Sequence, residues 1–176
     1  MRHLSYGRII PNDSQPSEAF STGERETGLI CLSGEAMVTL DSRETSLSQF
    51  DSLYVPRDSN VRIITKSRVD LAEFSSDVTG KYPLQLVRYS DVEKDPGLSF
   101  NTGGAGCTRH LSMLLAKNIE AGSLVAGFTT SEPGNWTSWP PHEHAAMLEE
   151  IYVFFNMPDP SFVHTNGITT LSIRNW

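Results

Sequence analysis

The sequence predicts an all-β fold, and three features predict it. Apolar runs in the first half alternate with polar residues at period two. Short turns rich in glycine, proline, asparagine and aspartate separate the runs. After a polar, glycine-rich connection, the second half has the same texture.

Taken in order, "TGLICLSGEAMVTLDSRE" holds an apolar run, then Ser33-Gly34, then Ala36, Val38 and Leu40 alternating with Met37 and Thr39. This predicts consecutive antiparallel strands. "FDSLYVPRDSNVRIIT" predicts a short apolar strand, a turn at Pro56 to Asn60, and a β-branched strand. "RVDLAEFSS" adds one more. "DVEKDPGLSFNTGGAGCTRH" reads as the connection between two halves, placing residues 1–95 in one unit and 96–176 in another. "RHLSMLLA", "SLVAGFTT" and "GITTLSIRNW" then read as β. A helix from Leu111 to Ala121 is the alternative, but Asn118 and Gly122 favour strand, turn, strand.

A chain of 176 residues with 38% hydrophobic content buries a real core. The net charge of -7 and the lack of a dense basic patch argue against nucleic acid. No apolar run approaches a membrane span, and the N-terminus lacks the long apolar stretch of a signal peptide. The cysteines, Cys31 and Cys107, fit a reducing compartment, so a cytoplasmic location is expected.

The stretch "WPPHEHAAMLEEIYVFF" carries the chemistry. His142 and His144 stand two apart, which on a strand puts both imidazoles on one face. Pro140 and Pro141 favour an extended entry. Glu149 and Glu150 precede the β-prone run "IYVFF". Two imidazoles and one carboxylate suit a divalent ion: zinc, manganese, iron, cobalt or nickel. Alternation admits one of the two glutamates to the site and does not choose between them. The plainer reading is a solvated turn that happens to carry two histidines.

"HEHAAMLEEIYVFF" resembles the first metal-binding motif of the cupin superfamily. Together with "SEPGNWTSWPPHEH" it is similar to 5-deoxy-glucuronate isomerases of inositol catabolism, relatives of the uronate ketol-isomerases. "LSGEAMVTLD" and "DSLYVPRDSNVRI" resemble the halves of a cupin barrel without metal ligands, with Val61 where a metal-binding relative carries histidine. The resemblance implies a bicupin, two double-stranded β-helix or jelly-roll barrels, the N-terminal one complete and metal-free. The C-terminal barrel is expected to be incomplete or diverged. The family's further histidine, in a Pro-Gly-His-like turn downstream, has no counterpart here, and His164 is the only later histidine.

The resemblance implies His142, His144 and Glu150 as metal ligands, with Glu149 as the substitute. It implies an aldose–ketose interconversion of 5-deoxy-glucuronate to 5-dehydro-2-deoxy-gluconate, in which a Lewis-acidic metal stabilises an enediolate. Tyr152 and Glu143 are the candidates for proton transfer, set against packing for Tyr152 and a surface position for Glu143. Arg109 is a candidate for the carboxylate of a small sugar acid, against an ordinary surface arginine. Trp136 and Trp139 are candidates for the pocket mouth; His110 and His3 sit in no constellation. A second copy of the chain is the partner that strand exchange calls for. The competing reading is a non-catalytic cupin that binds a metal or a sugar acid.

Overall fold

The structure, a computed structural model, describes residues 3–137, 139, 144, 147–156 and 172–173. The chain opens with β1 (Leu4–Ile9), β2 (Ser17–Ser21), β3 (Arg25–Ser33), β4 (Ala36–Leu40) and β5 (Arg43–Leu47). It continues through β6 (Ser52–Val55), β7 (Asn60–Ile64), β8 (Asp70–Asp77) and β9 (Gln85–Val87). One helical turn, α1 (Tyr89–Val92), leads to β10 (Ser99–Thr102), β11 (Arg109–Leu115), β12 (Ala126–Ser131), β13 (Val153–Phe154) and β14 (Ser172–Ile173). The all-β expectation holds.

The predicted strand boundaries are close, but their pairing differs. β3 and β4 do not form a hairpin. β3 lies in a five-stranded sheet of order β1-β8-β3-β6-β9, and β4 in a four-stranded sheet of order β2-β7-β4-β5. The Ser33-Gly34 turn therefore carries the chain from one sheet to the other. Gly34 does this at φ +82, and a Cβ there would stand 2.6 Å from the Arg68 carbonyl oxygen. The link from β6 to β7 crosses in the same way. β3 pairs antiparallel with β8, and β4 with β7. A ribbon of two strands thus folds over the core, the nested pairing of a jelly roll.

Between these sheets lies a cluster that includes Leu29, Cys31, Val38, Leu47, Leu53, Val61, Ile63 and Leu71. Val61 packs here, 2% exposed. Burial pushes the Cys31 thiol up to about 12, with the negative charge of Asp51 and Asp70 adding to it, so it remains an inert thiol.

The other face of the five-stranded sheet is covered too. Ile30, Leu32, Tyr54 and Ala72 point outward there and join Val87, Val92, Leu98, Leu114 and Leu115. The three-stranded sheet β10-β11-β12 supplies part of that cover. A strand buried on both faces gains from apolar residues at every position, which is why "LICL" shows no alternation.

Three elements depart from the sequence reading. The first twenty residues, which carried no strand prediction, form β1 and β2; both are sheet edges whose half-buried, mixed composition hides a period. The connection at 91–110 is not featureless, since it contains the end of α1, all of β10 and the start of β11. The predicted strand at 151–155 is recorded only as β13, paired parallel with β14. The strand-turn-strand choice after β11 is correct. Asn118 builds that turn: its Oδ1 accepts from Ala116 N–H at 2.9 Å and its Nδ2 donates to Leu114 C=O at 2.9 Å.

Two buried carboxylates tie the later chain to the first sheets. Asp51 accepts from the Arg88 guanidinium at 2.6 Å and from Tyr89 N–H at 2.9 Å, fixing the entry to α1. Glu26, on the outward face of β3 and wholly inaccessible, accepts from Tyr54 Oη at 2.8 Å. It also accepts from Gly122 N–H and Ser123 N–H at 2.7 Å each, Ser123 Oγ at 2.8 Å and Leu124 N–H at 3.1 Å. One β3 side chain thereby holds the whole loop between β11 and β12.

Candidate functional site

The site is built at one end of the β10-β11-β12 sheet. Cross-strand register sets Thr102, Arg109 and Ser131 side by side. The chain after β12 folds back against the segment before β11. Trp136 N–H donates to Gly106 C=O at 2.8 Å, and Thr108 N–H donates to Asn135 Oδ1 at 2.9 Å. Ser131 Oγ and Thr137 Oγ1 share a hydrogen bond of 2.8 Å. These contacts present the Trp136 and Trp139 rings as a tilted pair, centroids 5.3 Å apart, each about half exposed. Both tryptophans therefore stand at the surface and not in the core.

Of the expected ligands, His142 lies outside the described residues, and so does the proton-transfer candidate Glu143. His144 is half-buried and is not in a strand; its carbonyl accepts from Met147 N–H at 2.7 Å and Leu148 N–H at 3.0 Å. At His144, therefore, the predicted strand is not found.

The two glutamates are in different situations. Glu149 Oε2 accepts from the backbone N–H groups of His3 and Leu4, both at 2.9 Å, and so anchors the start of β1. Glu150 is half-buried and receives a long hydrogen bond from Tyr152 Oη at 3.4 Å. Partial burial raises the Tyr152 phenol above its usual range, and the Glu150 charge adds to this, while Arg109 opposes it. The phenol is thus a proton donor through neutral pH. Glu150, Tyr152 and Arg109 share one neighbourhood. Among the described residues no three His, Cys, Asp or Glu side chains converge as a metal-holding group, and the expected trio has one member outside them.

His110, read as structural or exposed, is held by its strand neighbours. Its Nε2 lies 2.8 Å from Ser99 Oγ and its Nδ1 2.7 Å from Asn101 Oδ1. A neutral ring protonated on Nδ1 donates to the amide and accepts from the hydroxyl. The signal in the sequence was faint, because it requires knowing that Asn101 sits opposite His110 across the β10-β11 ladder. His3 is exposed, as expected, and enters the site only through its backbone.

The comparisons with known proteins agree with this architecture. The KduI/IolB family model matches residues 4–171. A 4-deoxy-L-threo-5-hexosulose-uronate ketol-isomerase of Lachnospira eligens is 27% identical over 157 residues, covering 85% of this chain and 56% of its own. A 5-deoxy-glucuronate isomerase of Geobacillus thermodenitrificans is 29% identical over 119 residues, covering 64% of this chain and 42% of its own. In structure, an IolB-like protein of Salmonella typhimurium superposes with a TM-score of 0.67 at 20% identity, over 83% of this chain and 56% of that one. The chain spans about half the length of the curated relatives it matches. No described helix is long and apolar enough to cross a membrane. Sheets, motif and family match converge: the chain belongs to the KduI/IolB family.

Proposed function

We propose that this chain serves a sugar-acid ketol-isomerase that converts 5-deoxy-glucuronate to 5-dehydro-2-deoxy-gluconate. The observation that carries the reading is the family match over residues 4–171, with relatives named as ketol-isomerases of uronates and of 5-deoxy-glucuronate.

His142, His144 and Glu150 would hold a divalent ion. The chemistry of that donor set fits such an ion, and the geometry favours Glu150 over Glu149. Glu149 spends an oxygen on the β1 backbone, whereas Glu150 receives one long hydrogen bond, leaving acceptor capacity. When bound, the ion supplies Lewis-acid polarisation of the substrate's carbonyl and hydroxyl oxygens.

The protein's own groups do the rest. Tyr152, kept protonated by its surroundings, donates a hydrogen bond to a substrate oxygen whose charge grows as the proton leaves carbon. Glu143 is the candidate to carry that proton between adjacent carbons. Trp136 and Trp139 shape the mouth. A second copy of the chain is the proposed partner in solution.

The test is metal content per chain, by mass spectrometry, on untagged protein and on His142→Ala, followed by isomerase assays on two acids, 5-deoxy-glucuronate and 4-deoxy-L-threo-5-hexosulose uronate. Near-stoichiometric metal lost in the mutant, with turnover on 5-deoxy-glucuronate, is the expected result. Metal without turnover would select a binding role instead. A folded chain holding no metal and turning over neither acid would refute the reading.

A further inference from the structure

Arginines divide sharply in this molecule. Among the described residues, Arg8, Arg25, Arg57, Arg88 and Arg109 are half-buried. Arg8 pairs with Asp70 and Arg88 with Asp51 at 2.6 Å. Arg25 faces Asp77 at 3.6 Å, and Arg57 faces Asp58 at 3.0 Å and Glu24 at 3.8 Å. Arg109 has no carboxylate partner among the described residues. Among the described residues its Nη1 donates to the Cys107 carbonyl at a long 3.4 Å.

An acidic chain of net charge -7 has carboxylates to spare. A half-buried arginine without a carboxylate neighbour keeps its planar fork available to an anion. The surroundings of Arg109 suit such an anion. Thr102 and Ser131 flank it in the ladder, Ser131 Oγ shares a hydrogen bond with Thr137 Oγ1, and the exposed Trp136 ring belongs to the residue beside Thr137. Hydroxyls meet sugar hydroxyls, and flat indoles meet the C–H face of a sugar ring.

We propose that Arg109 binds the substrate's carboxylate, taking it in two parallel hydrogen bonds and so selecting a sugar acid over a neutral sugar. This rests on the sugar-acid reading above. Arg109 is a binding and specificity residue; it moves no proton. The planar fork of arginine matches a carboxylate in a way that a point charge does not.

The experiment is titration calorimetry of the full chain, as purified, with D-glucuronate and with its neutral methyl ester. Arg109→Gln and Arg109→Lys are run alongside, each first checked by circular dichroism and thermal melting. The acid should bind at least about tenfold more tightly than the ester. Arg109→Gln should abolish that preference and Arg109→Lys should restore part of it, with ester affinity unchanged in all three proteins. Equal affinity for acid and ester, no binding of the acid, or a preference that survives in Arg109→Gln would each overturn the assignment. Turnover assays keep the two ideas separate: acid preference through Arg109 without isomerisation sinks the enzyme reading alone, and isomerisation with an indifferent Arg109 sinks this one alone.

Discussion

At the scale of single residues, Glu26 shows how a buried carboxylate can be held in its charged form. Burial by itself would raise its pKa, but donors from Gly122, Tyr54 and Ser123 outweigh it and hold the carboxyl below its usual range. The folded value lies below the unfolded one, so this stabilisation is full above the unfolded value of about 4.3 and fades as pH falls through the folded value. Glu26→Gln should cost about 3 kcal/mol at neutral pH, because an amide NH2 then faces N–H donors. Urea midpoints measured from about pH 7 to 3 should converge for the two proteins toward the acid end. A constant gap across that range would show that the charge of Glu26 is not what holds the loop. Nothing in "RETG" marks Glu26 as special, because its donors come from residues nearly a hundred positions later.

At the scale of elements, β3, β8 and β11 meet around a missing side chain. Gly28 stands opposite Phe74 in the β3-β8 ladder. A Cβ at Gly28 would fall 2.2 Å from Phe74 Cζ and 3.0 Å from Leu115 Cδ1. The ring therefore lies across the glycine, and β11 closes over it. Gly28→Ala should lose about 1–3 kcal/mol by overpacking. Phe74→Leu in the same chain should recover part of the loss, a coupling that a double-mutant cycle in guanidinium reads directly. Additive losses would mean that the ring simply moves aside. The sequence announced β3 and β8 clearly through their apolar runs, yet it could not show that Gly28 is a packing feature. β1 and β2 were illegible for a related reason: edge strands have one partner and a weak pattern.

At the scale of the whole molecule, one sheet serves two cores. β3, β6 and β8 send alternate residues into the cluster between the sheets and into the cluster under β11. Loss of either side exposes a face of the same strands. Leu53→Ala strikes the first cluster and Leu114→Ala the second, and each should cost about 2–5 kcal/mol. Both should shift a single transition, with tryptophan fluorescence and far-ultraviolet circular dichroism coinciding. The described tryptophans lie in the later half of the chain, so a fluorescence change that precedes the dichroism would reveal separate unfolding of the two parts.

Local pattern was enough to announce the β class, most strand positions in residues 25–77, the turn after β11 and the residue types of the candidate site. Those depend on period, turn chemistry and motif, which neighbouring residues carry. Sheet membership was beyond it, because crossing between two sheets and folding back in a hairpin use the same short glycine turn. So was the anchoring of β1 by Glu149, which is indistinguishable from Glu150 until His3 and Leu4 reach its carboxylate. That Arg109, unlike the other half-buried arginines, meets no carboxylate among the described residues is likewise a property of the folded chain. A partner, or the want of one, is set by groups distant in sequence, and only folding brings those into reach.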